Sequence, residues 1–313
     1  MNPDRPSQRT ILPPALQPGD AIGIAAPASA FDANLFQRGI MALESLGFRA
    51  IIPENLSLQR GYLAGTDAHR AAIINRLFSD RDVKAIMCAR GGFGSLKILS
   101  MLDYDLIRTR PKIFAGFSDI TVLLSVFFEK TGLVTLHAPV ITTLADAGEA
   151  TRTALASAFM SPAPTTLAAV EGISLVPGRA TGIVRGGNLA SLCQLTGTPY
   201  QPDLKGSLLL LEDTAEAPYR IDRMLTQMRL AGCLDGVAGV ILGRFDQCGE
   251  MREIYDIVRA CFTESIPILA GLPVGHEGDN LPLPLGLSAT LDADRGTLAY
   301  DSPALSTAVR KVP

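Results

Sequence analysis

Four short, mainly apolar segments, each followed by a turn and then an amphipathic stretch, constrain this chain more than any other feature. They occupy residues 21–27, 48–53, 83–89 and 112–117. A strand buried on both faces reads as an unbroken apolar run, and strands that alternate with helices pair in parallel beneath helical layers. The intervening helices are expected at 32–46, ended by Gly47, at 67–79, at 95–102, and at 120–130, closed by Gly132. A sheet of this kind binds its ligands at the carboxyl ends of its strands. The turns after those strands are therefore the first place to look for chemistry.

The texture changes at 161–178, where Pro162, Pro164 and Pro177 interrupt any regular pattern and mark an interdomain linker. Beyond it, 180–185, 206–211 and 236–242 read as strands. Residues 220–231 form an amphipathic helix with Ile221, Met224, Leu225 and Met228 on one face. Pro282 and Pro284 rule out a regular helix there, and 289–299 reads as a hairpin turning at 294–296. The reading is an α/β unit at 1–160, a linker at 161–178, and a smaller mixed α+β unit at 179–313.

Hydrophobic residues make up 47% of the 313 and charged residues only 19%, ample for buried sheets. The net charge of −3 and the lack of a Lys/Arg block argue against nucleic acid, whose phosphates require a clustered basic surface. The substrate class is a small molecule. The five cysteines form no Cys-x-x-Cys pair and read as buried free thiols suited to a reducing cytoplasm. Neither a secretory leader nor an apolar membrane span is read, so the expected location is cytoplasmic.

Ser118 sits in Gly116-Phe117-Ser118-Asp119, between an apolar strand and a helix. A serine in such a turn is presented at the edge of the sheet, beside the free N–H groups and positive dipole of the helix start. The match to Gly-x-Ser-x-Gly is partial, since position 120 is Ile, and Ser118 or Asp119 as a plain helix cap remains open. The loop Arg90-Gly91-Gly92-Phe93-Gly94 follows the neighbouring strand and is either a tight turn or an anion cradle. As an oxyanion hole it would use the N–H groups of Gly92 and Asp119.

A serine hydroxyl needs a base. The three histidines are His69, in a helix; His137, at a strand end; and His276, in the polar loop 273–280. A base in turn needs an orienting acid. The apolar run 208–211 ends in Glu212-Asp213, two carboxylates that serve either a helix dipole or the cleft.

In their order and spacing these segments resemble the LD-carboxypeptidase family of serine peptidases, which includes the microcin C self-immunity peptidases. The resemblance spans nearly the whole chain. It rests on Leu16-Gln17-Pro18-Gly19-Asp20, the strand ending Ala25-Ala26-Pro27-Ala28-Ser29, Ala89-Arg90-Gly91-Gly92-Phe93-Gly94, Gly116-Phe117-Ser118-Asp119-Ile120-Thr121 and Gly186-Gly187-Asn188-Leu189. It continues through Leu211-Glu212-Asp213, the run 218–223 and Gly275-His276. It implies a flavodoxin-like parallel-sheet N-terminal domain and a smaller, β-rich C-terminal domain. It also implies a triad of Ser118, Glu212 and His276, with Gly92 and Asp119 as the oxyanion hole. The implied substrate is a murein tetrapeptide and the implied assembly a homodimer, with no cofactor and no metal. Arg90 is a candidate partner for the substrate's charge. Phe93 stands where tyrosine is common in the family.

Two rivals are carried alongside. One is a microcin-immunity-like peptidase acting on aminoacyl-nucleotide conjugates; the absence of tryptophan, which would stack a nucleobase, weighs against it. The other is a two-domain protein that binds a small anion without turnover.

Overall fold

The computed structural model describes residues 9–169, 172–262 and 265–307. Five parallel strands, β1 (Ala21–Ala25), β2 (Arg49–Ile51), β3 (Val83–Cys88), β4 (Ile113–Gly116) and β5 (Thr135–His137), lie in the order β2-β1-β3-β4-β5. That is the flavodoxin-like order. The sheet is covered by α1 (Ala33–Ser45), α2 (Asp67–Ser79), α3 (Tyr104–Thr109), α4 (Thr121–Thr131), α5 (Ile141–Leu144) and α6 (Glu149–Met160). The starts of the first two follow from local chemistry. Asp32 accepts a hydrogen bond from the Leu35 N–H, and Thr66 accepts one from that of His69. Gly132, at φ +80°, closes α4 in the left-handed conformation that a residue with a Cβ resists. Beneath the helices Phe78, Phe114 and Phe127 pack together, the last two rings edge to face at 4.7 Å. Each buried ring contributes about 1.5–3 kcal/mol.

The segment 161–178 is not the element-free linker expected from its prolines. It contributes β6 (Thr166–Ala168) and β7 (Ile173–Val176), which form opposite edges of a second sheet. That sheet contains β8 (Arg179–Asn188), β9 (Ser207–Thr214), β10 (Gly239–Asp246) and β11 (Ile268–Ala270), all parallel. Around it run α7 (Leu189–Cys193), α8 (Pro218–Leu230) and α9 (Met251–Cys261).

The next strand, β12 (Leu283–Leu285), leaves this sheet and pairs antiparallel with β5 at the edge of the first. Pro284 is tolerated because β12 is itself an edge strand. The hairpin β13 (Ser288–Asp292) and β14 (Thr297–Tyr300) completes the second sheet in the order β6-β14-β13-β8-β9-β10-β11-β7. Eight strands laid flat would hold their edges ~34 Å apart, whereas the short connection from β6 to β7 reaches about 18 Å. The second sheet is therefore strongly curled.

β8 and β9 both run further than their apolar segments suggested. β8 continues through Gly186 and Gly187, whose φ values of +109° and +135° only glycine adopts freely. β9 carries its extended backbone through Glu212 and Asp213, which places both carboxylates at the carboxyl end of a buried strand.

Candidate active site

Ser118 follows β4 directly and has φ +62°, a left-handed conformation that a serine adopts only under constraint. Two glycines make room for it. A Cβ on Gly116 would lie 2.8 Å from Ile120 Cγ2, and one on Gly91 would lie 2.7 Å from Ser118 Cβ. Ser118 does not cap the following turn or α4, neither of which has a side-chain cap. Its half-buried hydroxyl is left for other work. The strained turn is the geometry of a nucleophile elbow, reached without its second glycine.

Asp119 points the other way. Its buried carboxylate accepts the Ser95 N–H at 2.8 Å, which ties the start of α4 to the end of the glycine loop. Burial raises its pKa, and the hydrogen bonds from the Ser95 and Gly94 backbone only partly offset this. The loop is held on two further sides. The Phe93 N–H donates to Ser29 Oγ at 3.1 Å, and a Cβ on Gly92, at φ +106°, would fall 2.3 Å from that same oxygen. Arg70, buried in α2, donates to the carbonyls of Pro27 and Gly94 and pairs with Asp67. The Gly92 N–H has no acceptor among the described residues. Gly91 against Ser118 thus sets that free donor beside the nucleophile candidate.

His276 Nδ1 lies 2.7 Å from Glu212 Oε2, and the His276 ring packs tilted, with centroids 4.6 Å apart, against Phe117, the residue before Ser118. Glu212 is fully buried, and glycines crowd it: a Cβ on Gly275 would come within 3.1 Å of Oε2. Burial would raise the Glu212 pKa, but His137 and His276 beside it outweigh that and hold it low. His137 stands 3.7 Å from Oε1, longer than an ordinary hydrogen bond, whereas His276 is bonded to Oε2 at 2.7 Å. For His276, burial lowers the pKa, yet the hydrogen bond and charge of Glu212, with Asp213 and Asp246 behind, leave it raised.

The two acids at the end of β9 divide the roles that were left open for them. Asp213 accepts from Ala190 N at 2.9 Å, from Asn188 Nδ2 at 2.9 Å and from Thr214 N, so it anchors the start of α7. Burial pushes its pKa up to about 6. Glu212 alone faces a histidine.

The remaining candidates fall in different places. His69 contacts the Asn55 carbonyl at 3.0 Å, away from Glu212. His137 is fully buried and meets Glu212 from the side opposite His276, which leaves it no route to a substrate. Arg90 is exposed, and its Nη1 donates to Ala30 O at 2.8 Å, on the loop after β1. Tyr62 and Phe93, both exposed, lie 6.1 Å apart beside that loop.

The His276 loop is stitched to the N-terminal half. Thr151 Oγ donates to Asp279 Oδ1 at 2.9 Å and accepts the Asn280 N–H at 3.2 Å, and Asn280 Oδ1 accepts the Gly275 N–H. Nothing in the local sequence around Arg70, Ser29 or Thr151 marks them for these duties. Each acts through a partner distant along the chain. Among the described residues, no group of three or more His, Cys, Asp or Glu is placed to hold a metal ion, and no helix is long and apolar enough to cross a membrane.

Comparison with known proteins agrees with this architecture. Residues 22–138 match the LD-carboxypeptidase N-terminal domain and residues 181–291 the LD-carboxypeptidase C-terminal domain. The probable murein peptide carboxypeptidase of Bacillus subtilis is 37% identical, over 93% of this chain and 94% of that protein. The microcin C7 self-immunity protein of Escherichia coli is 30% identical, over 95% of this chain and 97% of that protein. The crystal structure of an MccF-like protein from Bacillus anthracis superimposes with a TM-score of 0.88 at 26% identity. It covers 94% of this chain and all of that one. Matched in both halves and aligned with relatives over nearly their full length, the chain belongs to the LD-carboxypeptidase family.

Proposed function

We propose that the protein is a cytoplasmic serine LD-carboxypeptidase of peptidoglycan recycling. It hydrolyses the amide between meso-diaminopimelate and the terminal D-alanine of murein tetrapeptides. The observation that carries this reading is a strained serine at φ +62°, set against the glycine loop, whose neighbour Phe117 contacts the ring of a histidine bonded to a buried carboxylate.

His276 Nε2 takes the Ser118 proton as Oγ bonds to the amide carbonyl carbon. Negative charge then develops on the carbonyl oxygen, where the N–H groups of Gly92 and Asp119 receive it, each contributing about 3 kcal/mol. Glu212 holds the imidazole in the tautomer with Nδ1–H and stabilises the imidazolium. The C–N bond breaks as His276 returns the proton to the leaving D-alanine amine. A water, deprotonated by His276, then attacks the acyl-enzyme and restores Ser118. Arg90 has donors left beyond its bond to Ala30 O, and the D-alanine carboxylate is their match.

A second reading, cleavage of an aminoacyl-nucleotide conjugate, draws on the likeness to the microcin C7 self-immunity protein. The murein reading is favoured by the higher identity, 37%, to the probable murein peptide carboxypeptidase. It is favoured also by the absence of any tryptophan to stack a base. Incubation with each substrate separates them: the first reading predicts D-alanine from the tetrapeptide, lost in Ser118→Ala. Cleavage of the conjugate alone would overturn it.

A further inference from the structure

His137 is a buried histidine that the chemistry above leaves without a task. It ends β5 with 0% exposure, and Phe117 meets its ring edge to face at 5.8 Å. Backbone pairing fixes it from both sides, opposite Gly116 of β4 and Leu283 of β12. Among the described residues, neither ring nitrogen has a hydrogen-bond partner. Glu212 has the complementary deficit: Oε2 is bonded to His276, while Oε1, equally buried, has no partner among those residues. The two unpaired groups face each other, His137 Nε2 lying 3.7 Å from Glu212 Oε1. Polar atoms buried without partners are rare because they forfeit hydration and gain nothing in return. A closure of ~0.8 Å brings this pair to hydrogen-bond length.

We propose that His137 is a positioning residue: neutral, with its proton on Nε2, it donates to Glu212 Oε1 and fixes the carboxylate plane so that Oε2 stays in line with His276 Nδ1. This inference rests on the Ser118–Glu212–His276 reading and deepens it. A carboxylate held by one oxygen can rotate about its last torsion, and an imidazole tethered to it drifts with it. Bound at both oxygens, it holds the imidazole in one orientation throughout proton transfer. The neutral state matters because a second buried cation would compete with the His276 imidazolium for the same charge. The surroundings of His137 suit this role: strand pairing on both sides holds its backbone, and its buried ring packs against Phe117.

Three substitutions test it. The Gln amide of His137→Gln reaches the place of Nε2, whereas the Asn amide of His137→Asn stops near Nδ1; His137→Leu keeps bulk and removes the donor. For D-alanine release, kcat is expected to fall about 10- to 100-fold in the Asn and Leu variants with KM within twofold. The Gln variant is expected to restore most of the loss. The low-field proton resonance of the His276 Nδ1–H···Glu212 bond should persist in the Gln variant and move upfield or vanish in the other two. Asn and Gln are alike in polarity, so a merely structural role would affect both equally. Identical kcat and identical resonances in those two would overturn the proposal even if the Leu variant fails to fold. Wild-type kcat in a folded Leu variant would do so as well. If wild-type protein releases no D-alanine, the substrate reading fails, and the resonance pattern still decides the role of His137.

Discussion

Leu283 lies directly opposite His137 in the antiparallel pair formed by β12 and β5. The segment that delivers His276 is therefore sewn into the sheet that delivers Ser118. Thr151 adds a second stitch through Asp279 and Asn280. The sequence alone suggested a nucleophile and a base on separate domains that come together across a cleft. β12, which follows the His276 loop, pairs at the edge of the first sheet and so ties that loop to the sheet that precedes Ser118.

Replacement of Thr151 by Val keeps its shape and removes both hydrogen bonds to the His276 loop. Thr151 is buried, so stability is expected to fall by about 1–3 kcal/mol in urea titration. With His276 of this loop as the proposed base, kcat should fall more than KM rises. A loss of stability with unchanged kcat would show that the stitch does not position His276.

The conformation of Ser118 makes a prediction independent of turnover. Both Ser118→Ala and Ser118→Gly remove the hydroxyl, but only glycine occupies φ +62° without strain. The Gly variant is expected to be more stable than the Ala variant by about 1 kcal/mol, read from denaturant midpoints. Equal stabilities would mean that no strain is stored at the turn.

Gly92→Ala should damage the oxyanion site specifically. A Cβ at φ +106° collides with Ser29 Oγ and displaces the N–H proposed to receive the developing charge. The expected cost is about 10²–10³-fold in kcat with a small change in KM. An equal loss in both parameters' ratio arising from KM alone would place Gly92 in substrate binding instead.

The raised pKa of His276 sets the acid limb of the pH profile. The base works in its neutral form, so a raised pKa moves the loss of kcat/KM to higher pH. The midpoint is expected above about 6.5, the ordinary histidine value. Glu212→Gln removes the charge that raises it; the midpoint should drop, and kcat should fall by up to about 10⁴-fold. A midpoint unmoved by that substitution would assign the limb to another group.

Four of the five parallel strands of the first sheet were legible because each lies in a mainly apolar run followed by a turn, and the helix starts at Asp32 and Thr66 have local caps. Position at strand ends or in a polar loop made Ser118, Glu212 and His276 candidates beside plainer readings, and the family resemblance joined them into a triad. What stayed hidden depends on partners far along the chain. The prolines of 161–178 concealed β6 and β7, which exist only because β14 and β11 offer edges to pair with. Pro284 likewise masked β12. Nothing near Arg70 signals that its guanidinium supports two loop carbonyls. The place of His137 behind Glu212 arises from the meeting of β5 and β9, strands of different sheets.

The most direct test of the central claim is product analysis by mass spectrometry on a defined murein tetrapeptide. The expected products are free D-alanine and the tripeptide, formed with uptake of one water and absent with Ser118→Ala. An intact tetrapeptide after incubation with folded wild-type protein, or D-alanine release undiminished in Ser118→Ala, would contradict it.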